Sequence, residues 1–158
     1  MMLRDITQAD YSKILALNLA YEEMLSPLDK AELQEILDES FYARCSDDVS
    51  AFLIAIGEGA DYDSPNYHWL MTRYSGLIYI DRIVVAGTAH GTGLGWQLYE
   101  ELFAKARRSG ATHIGCEVNI SPPNPGSHAF HQRLGFSRVG EATLSGGKEV
   151  AYYLHNLS

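Results

Sequence analysis

The clearest hydrophobic pattern in the chain is residues 77–85, LIYIDRIVV, rich in β-branched and aromatic side chains, which predicts a strand. Gly87-Thr88-Ala89-His90-Gly91 follows as a turn. Beyond it Leu94, Leu98, Leu102 and Ala106 recur at spacing four, predicting a long helix over residues 93–109 that Gly110 stops. Upstream, residues 51–56 form a continuous apolar run, the pattern of a strand buried on both faces, within a strand–turn–strand reading of 41–45, 46–48 and 49–56.

The weaker patterns complete the order of elements. Residues 2–6 predict a first strand, and Thr7 with Asp10 forms an approximate capping box opening a helix through about residue 20. Its apolar positions are Ile14, Leu15, Leu17 and Leu19. Ser26-Pro27 interrupts, and a second helix is predicted over about residues 28–40 with Leu33, Ile36 and Leu37 on one face. Residues 57–75 predict a long loop with one helical turn near 67–74; loops of this length are uncommon in compact domains and often functional. Then come a strand over 112–119, a Pro-rich loop over 121–126, a short helix over 127–134, and an antiparallel pair, 136–143 and 149–155. Helices interleaved with strands in this way predict an α/β or α+β sheet covered on its faces.

Composition narrows the function. The 158 residues, 46% hydrophobic, suit one domain over 1–158 and are too apolar for disorder. A net charge of −8 argues against a general nucleic-acid binder, which needs a basic stripe to neutralise phosphates. It leaves room for a small anionic ligand held by a nest of backbone N–H groups. Cys45 and Cys116 form neither a CxxC pair nor a disulfide framework and read as reduced, buried thiols of a cytoplasmic protein. No signal-peptide pattern follows Met1, and no apolar run is long enough to span a bilayer.

His90-Gly91-Thr92-Gly93-Leu94-Gly95 lies between the best strand and the longest helix. A helix start carries unpaired N–H groups and partial positive charge, and glycines let a phosphate approach the backbone. The segment is neither a Walker A loop, since no GK[ST] follows, nor GxGxxG, since the spacing is GxGxG. By position and spacing alone it is also consistent with a tight strand-to-helix turn that binds nothing.

On these residues the chain resembles the GNAT acetyltransferase superfamily. The family's pyrophosphate motif, Q/R-x-x-G-x-G/A, is matched by His90-x-x-Gly93-x-Gly95, with His in place of Gln or Arg. The family's later strand, loop Asn and F-Y-x-x-L-G-F helix are matched by Glu117-Val118-Asn119, Asn124 and Phe130-His131-Gln132-Arg133-Leu134-Gly135-Phe136. The likeness covers residues 77–140 best, and the β-α-α-β start fits the family's N-terminal half. It implies a GNAT fold: a twisted mixed sheet of six to seven strands flanked by about four helices. It implies acetyl-CoA as cosubstrate, with its pyrophosphate at His90, Gly91, Thr92, Gly93, Leu94 and Gly95. The pantetheine arm would pair with the backbone of Ile83, Val84 and Val85, where two strands splay, and meet Asn119, Asn124, Ser127 and Phe130. The acetyl group would pass to a small-molecule or peptide amine by direct transfer in a ternary complex; dimerisation is common in the family.

The chemistry needs a neutral amine, and a free alkyl ammonium has a pKa of about 10.4, so a base must take its proton. Glu117, in an otherwise apolar strand and facing away from Cys116 and Val118, is the candidate base; a solvated or ion-paired strand-end glutamate is the plainer reading. His131 stands where the family commonly has the Tyr that protonates the departing thiolate, and imidazole can donate near neutral pH; it can equally be a packing residue. His128 and His131 lack further ligands at metal-site spacing, so no metal is expected. Residues 61–69 (DYDSPNYHW) can cap the acceptor site, with Tyr67 and Trp69 as contacts or as anchors, and Glu22 and Glu23 can line it. Asp81 and Arg82, adjacent on a strand, are expected to face opposite ways. A non-catalytic acyl-CoA-binding module and, more distantly, a nucleotide-binding domain are the alternatives.

Overall fold

A computed structural model describes residues 2–157. Seven strands form one mixed sheet: β1 (Leu3–Asp5), β2 (Ser40–Ser46), β3 (Ala51–Ile56), β4 (Leu77–Val85), β5 (His113–Ser121), β6 (Ser137–Thr143) and β7 (Glu149–Asn156). Their spatial order is β1-β2-β3-β4-β5-β7-β6. Neighbours run antiparallel except β4 and β5, which are parallel and joined by the crossover helix α4 (Leu94–Ser109). The expected six to seven strands and mixed sheet are thus present.

Helices cover both faces. On one, Leu94, Leu98, Leu102 and Ala106 of α4 pack with Ile78 and Ile80 of β4 and Cys116 and Val118 of β5. This is the spacing-four stripe read from the sequence, fully buried. On the other face, α1 (Tyr11–Ala20) and α2 (Lys30–Glu39) bury Ile14, Leu33 and Ile36 against Phe52, Ile54 and Tyr79. Helix α2 starts two residues later than expected because Asp29 caps it: its Oδ1 accepts from the Glu32 N–H at 2.8 Å, and Glu32 Oε1 accepts from the Asp29 N–H at 3.1 Å. In α1 the expected apolar face is rotated. Leu19 is 64% exposed, and Asn18 is buried in its place.

Residues 57–75 hold more structure than a loop with one turn. They include α3 (Pro65–Met71), which makes five helices rather than about four, besides α5 (Pro125–Arg133). Ser64 caps α3 by accepting from the Tyr67 N–H at 3.3 Å, and Pro65 occupies the first helical position, where its missing N–H does no harm. Trp69 docks the helix on the sheet. Its ring stacks on Tyr152 at 4.0 Å, and a Cβ at Gly140 would come within 2.5 Å of it. The Tyr67 hydroxyl donates to the Gly57 carbonyl at 2.7 Å.

Candidate active site

Strands β4 and β5 pair only at their N-terminal ends, from Leu77↔His113 to Tyr79↔Gly115, and then separate. The fork opens into a cleft of about 1520 Å³ that runs from the start of α4 to α2 and the segment before α3. Single small-molecule pockets usually occupy about 300–1,000 Å³, so this cleft has room for two substrates at once.

One end is made of backbone. Gly91 and Gly93 sit at φ +80° and +83°, a left-handed conformation that glycine adopts without strain. Their N–H groups take no part in the turn's backbone hydrogen bonds, so they and the first turn of α4 form an open nest. Gly95 serves packing: a Cβ there would meet Phe130 and Val85 at 3.4 Å each. Gly91, Gly93, Leu94, Gly95 and His90 all line the cleft, as do Ile83, Val84 and Val85 along the fork. Thr92 does not line it; its hydroxyl donates to the Ala89 carbonyl and accepts from the Leu94 N–H. The His90 ring is turned back onto the Val85 carbonyl, to which its Nε2 donates at 2.9 Å.

Helix α5 forms the second wall. Asn124 is its N-cap by position, but its side chain makes no capping hydrogen bond, so the amide is available to the cleft. Ser127 and Phe130 line the same wall. Asn119 lines the cleft as well, but its Nδ2 already donates to the Met24 carbonyl at 3.2 Å and clasps the α1–α2 connection. His128 pins α5 to the sheet, donating from Nε2 to the Asn119 carbonyl at 2.9 Å while Nδ1 accepts from the Tyr153 hydroxyl at 2.6 Å. His131 is 3% exposed, and both of its nitrogens are engaged. Nδ1 donates to the Ser127 carbonyl at 2.7 Å, so Nε2 accepts from the Tyr99 hydroxyl at 2.5 Å. Burial lowers the His131 pKa and keeps the ring neutral. Among the described residues no three His, Cys, Asp or Glu side chains gather as metal ligands.

The opposite end is made of side chains. Glu117 turns away from the α4 face, as alternation predicts, and one carboxylate oxygen accepts from the Tyr79 hydroxyl at 2.7 Å. Burial, opposed by that hydrogen bond and reinforced by Asp81, pushes its pKa up to about 7. Asp81 and Arg82 depart from the expected alternation. Arg82 lies opposite Ile54 and Ile80 opposite Ala55, so Asp81 is the extra residue of a β-bulge. The bulge turns both side chains to one side, where Arg82 Nε meets Asp81 Oδ2 at 2.6 Å with each side chain 5% exposed. Arg82 also donates to Asn18 Oδ1 at 2.9 Å and to the Ser26 carbonyl at 3.2 Å, and Tyr62 donates to Asp81. Asp61, Tyr62, Asp63 and Asn66 line this end, whereas Tyr67 and Trp69 do not and act as anchors. Glu22 and Glu23 are exposed outside the cleft; the acidic residues that α2 contributes are Glu32 and Glu35.

The model of the acetyltransferase (GNAT) family matches residues 3–136. The chain belongs to that family. Among solved structures this GNAT protein is similar to Ard1 from Thermoplasma volcanium, with 14% identity and a TM-score of 0.78 over 98% of this chain and 96% of that one. It is similar also to the ribosomal-protein-alanine N-acetyltransferase from Brucella melitensis, with 19% identity and a TM-score of 0.73 over 99% of each chain. At such identities the likeness carries the fold. In sequence it is 37% identical over 71 residues to the 5-NmdU N-acetyltransferase of Pseudomonas phage PaMx11, a match covering 45% of this chain and 46% of that one. The chain therefore matches about half the length of that curated relative.

Sequence reasoning missed three parts of this GNAT cleft: Tyr79 beside Glu117, the Arg82–Asn18 bond, and Glu32 with Glu35. A buried-type polar residue such as Asn18 in the middle of an apolar helix stripe is the signal that could have exposed the second. The first and third depend on packing across elements and leave no local trace.

Proposed function

We propose that the chain, as one domain over residues 1–158, is a cytoplasmic N-acetyltransferase that moves the acetyl group of acetyl-CoA to a primary amine by direct transfer. The observation that carries this reading is Glu117: a carboxylate with a pKa pushed to about 7, on the floor of a cleft whose far end is an open backbone nest. A base of that strength is half ionised at neutral pH, where it is best matched to proton transfer.

The residues then divide the work. Gly91, Gly93 and the first turn of α4 hold the pyrophosphate, with Leu94 and Gly95 shaping the turn. The β4 backbone over Ile83, Val84 and Val85 pairs with the pantetheine arm in the fork, the Val85 carbonyl being shared with the His90 ring, and Asn124, Ser127 and Phe130 flank it. Glu117 takes a proton from the ammonium, directly or through one water. The neutral amine attacks the thioester carbonyl carbon, the C–N bond forms, the C–S bond breaks, and the second proton shed by the acylated nitrogen ends on the departing thiolate. His131 has no free N–H facing the cleft: Nδ1 donates to the Ser127 carbonyl and Nε2 accepts from Tyr99, so it is not the donor of that proton. Neither Cys45 nor Cys116 is placed as a nucleophile; both are buried, and burial raises both thiol pKa values.

The acceptor end favours a small cationic amine or a peptide N-terminus. Glu32, Glu35, Asp61 and Asp63 line it, and the whole chain carries −8. That field repels a polyanion, so a nucleic-acid acceptor is disfavoured here.

The test is calorimetry with acetyl-CoA, with ATP and NAD as controls, followed by turnover on an amine panel for wild type and Glu117→Gln. Binding of acetyl-CoA alone is expected, with turnover of the variant slowed roughly 100- to 10,000-fold and its acetyl-CoA affinity unchanged. A folded protein that does not bind acetyl-CoA overturns the cofactor assignment. An unchanged rate in the variant removes Glu117 as the base.

A further inference from the structure

Tyr79 is the last residue of β4 that pairs with β5 before the fork opens. Its side chain is 1% exposed. The ring is held edge-on by Tyr67 at 5.7 Å and faces Tyr62 at 6.5 Å, and Tyr67 is itself fixed by its bond to Gly57. The hydroxyl therefore has a set direction, toward Glu117 Oε1 at 2.7 Å. No other side chain among the described residues donates to the Glu117 carboxylate. Tyr152, directly opposite Glu117 on β7, sends its own hydroxyl to Asn66 Oδ1 at 2.7 Å instead.

We propose that Tyr79 is a positioning residue for acetyl transfer: its hydroxyl occupies Oε1 of Glu117, fixes the carboxylate in the fork and leaves Oε2 as the oxygen that receives the amine proton. The proposal rests on the reading of Glu117 as the base. Its chemistry follows from what surrounds that carboxylate. Tyr79 and Asp81 face it from β4, Tyr152 from β7, Tyr62 from the segment before α3 and Lys148 from the β6–β7 turn, with Cys116 beside it on β5 and Tyr99 on the α4 side. Burial and Asp81 favour the neutral acid; Tyr79 and Lys148 favour the carboxylate. Tyr79 acts over one hydrogen bond and cannot be relocated by solvent, whereas Lys148 lies on an exposed turn. Removing the Tyr79 hydroxyl takes away a donor to the charged form, so the Glu117 pKa rises.

The sign and size can be read directly. Loss of a hydrogen bond to a charged group raises the pKa by about one unit or more. Glu117 of Tyr79→Phe is then about one-tenth ionised at pH 7 instead of about half, so kcat/KM falls about fivefold at pH 7 and recovers by about pH 9. The acceptor's own ionisation adds the same limb to both proteins and cancels in the comparison.

The experiment pairs the pH profile of kcat/KM with carbon-13 titration of the Glu117 carboxyl, its signal assigned by loss in Glu117→Gln. Tyr79→Phe is compared with wild type, and Tyr152→Phe is the control for removing a hydroxyl from the same face. The expected result is an upward move of about one pH unit in both readouts for Tyr79→Phe and none for Tyr152→Phe. If the carboxyl titration does not move, or moves equally in Tyr152→Phe, the role given to Tyr79 is wrong whatever the activity does. If the carboxyl titration moves and the kinetic limb stays, Glu117 is not the base, and Tyr79 loses its catalytic role with it. A purely structural tyrosine would lower the rate at every pH without moving either midpoint.

Discussion

The two ends of the cleft are built of different material. The end proposed for the cofactor is largely backbone: two left-handed glycines, the first turn of α4 and the edge of β4 that β5 leaves, with Asn124, Ser127 and Phe130 beside it. The acceptor end is side chains drawn from β4, β5, β7, α2 and the segment before α3, tied by the Asp81–Arg82 pair and its bonds to Asn18 and Ser26. Backbone groups present the same N–H and C=O whatever the neighbouring side chains are, so the phosphate nest of that end depends mainly on glycine at the right spacing. The end proposed for the acceptor changes with each substitution in any of five elements, so on this reading its specificity can vary while the backbone nest stays the same.

The comparison is broken most forcefully at Arg82. Arg82→Met leaves Asp81, at 5% exposure, without its buried cation, and removes the bonds that hold α1 and its following segment. The expected loss is roughly 3–5 kcal/mol of folding stability, measured by urea denaturation. If the two ends are independent, acetyl-CoA affinity of the folded fraction is unchanged while acceptor KM rises. A variant as stable as wild type would mean that the Tyr62 hydroxyl alone satisfies Asp81 and that the pair does not organise this end.

The same contrast explains what could be read from the sequence. LIYIDRIVV, the spacing-four stripe of α4 and the glycines at 91, 93 and 95 are local signals, and each element they predict is present. The fork is half legible: Glu117 faces as alternation requires, but the point where β4 leaves β5, after Tyr79 and Gly115, carries no mark in the local pattern of either strand. Asp81 and Arg82 went against alternation because a bulge inserts one residue without any Gly or Pro to mark it. Helix α3 was half hidden, since Ser64-Pro65 is a good helix start but the helix is only seven residues long, too short for a periodic face. The histidines were the least legible. His90 and His131 occupy motif positions, yet each spends its ring on nearby groups, and only the packed structure shows that.

A smaller effect sharpens the cofactor side. Gly93→Val forces a β-branched residue into φ +83° at the N-cap of α4, where strain is on the order of 1–3 kcal/mol. The turn relaxes out of its nest, and acetyl-CoA binding is expected to weaken about tenfold in calorimetry. Gly93→Asn, which tolerates the left-handed conformation, should retain most of the affinity. Equal losses in the two variants would show that a side chain in the nest, rather than its backbone conformation, is what the cofactor cannot accept.

Asn124 gives the finest cut, because it separates a ligand contact from a turn residue. Its side chain makes no capping hydrogen bond, so Asn124→Ala removes little from α5 itself. A single neutral hydrogen bond to the pantetheine arm is worth about 0.5–1.5 kcal/mol, which predicts a roughly two- to tenfold rise in KM for acetyl-CoA. The kcat should hold, since the contact is the same before and during transfer and so contributes uniform binding. Thermal stability should stay within about half a kcal/mol of wild type, as for a surface change outside any cap or core. The reverse pattern, a lower melting temperature with an unchanged KM, would make Asn124 a device for starting α5 after Pro123 and would leave Ser127 and Phe130 as the contacts of that wall.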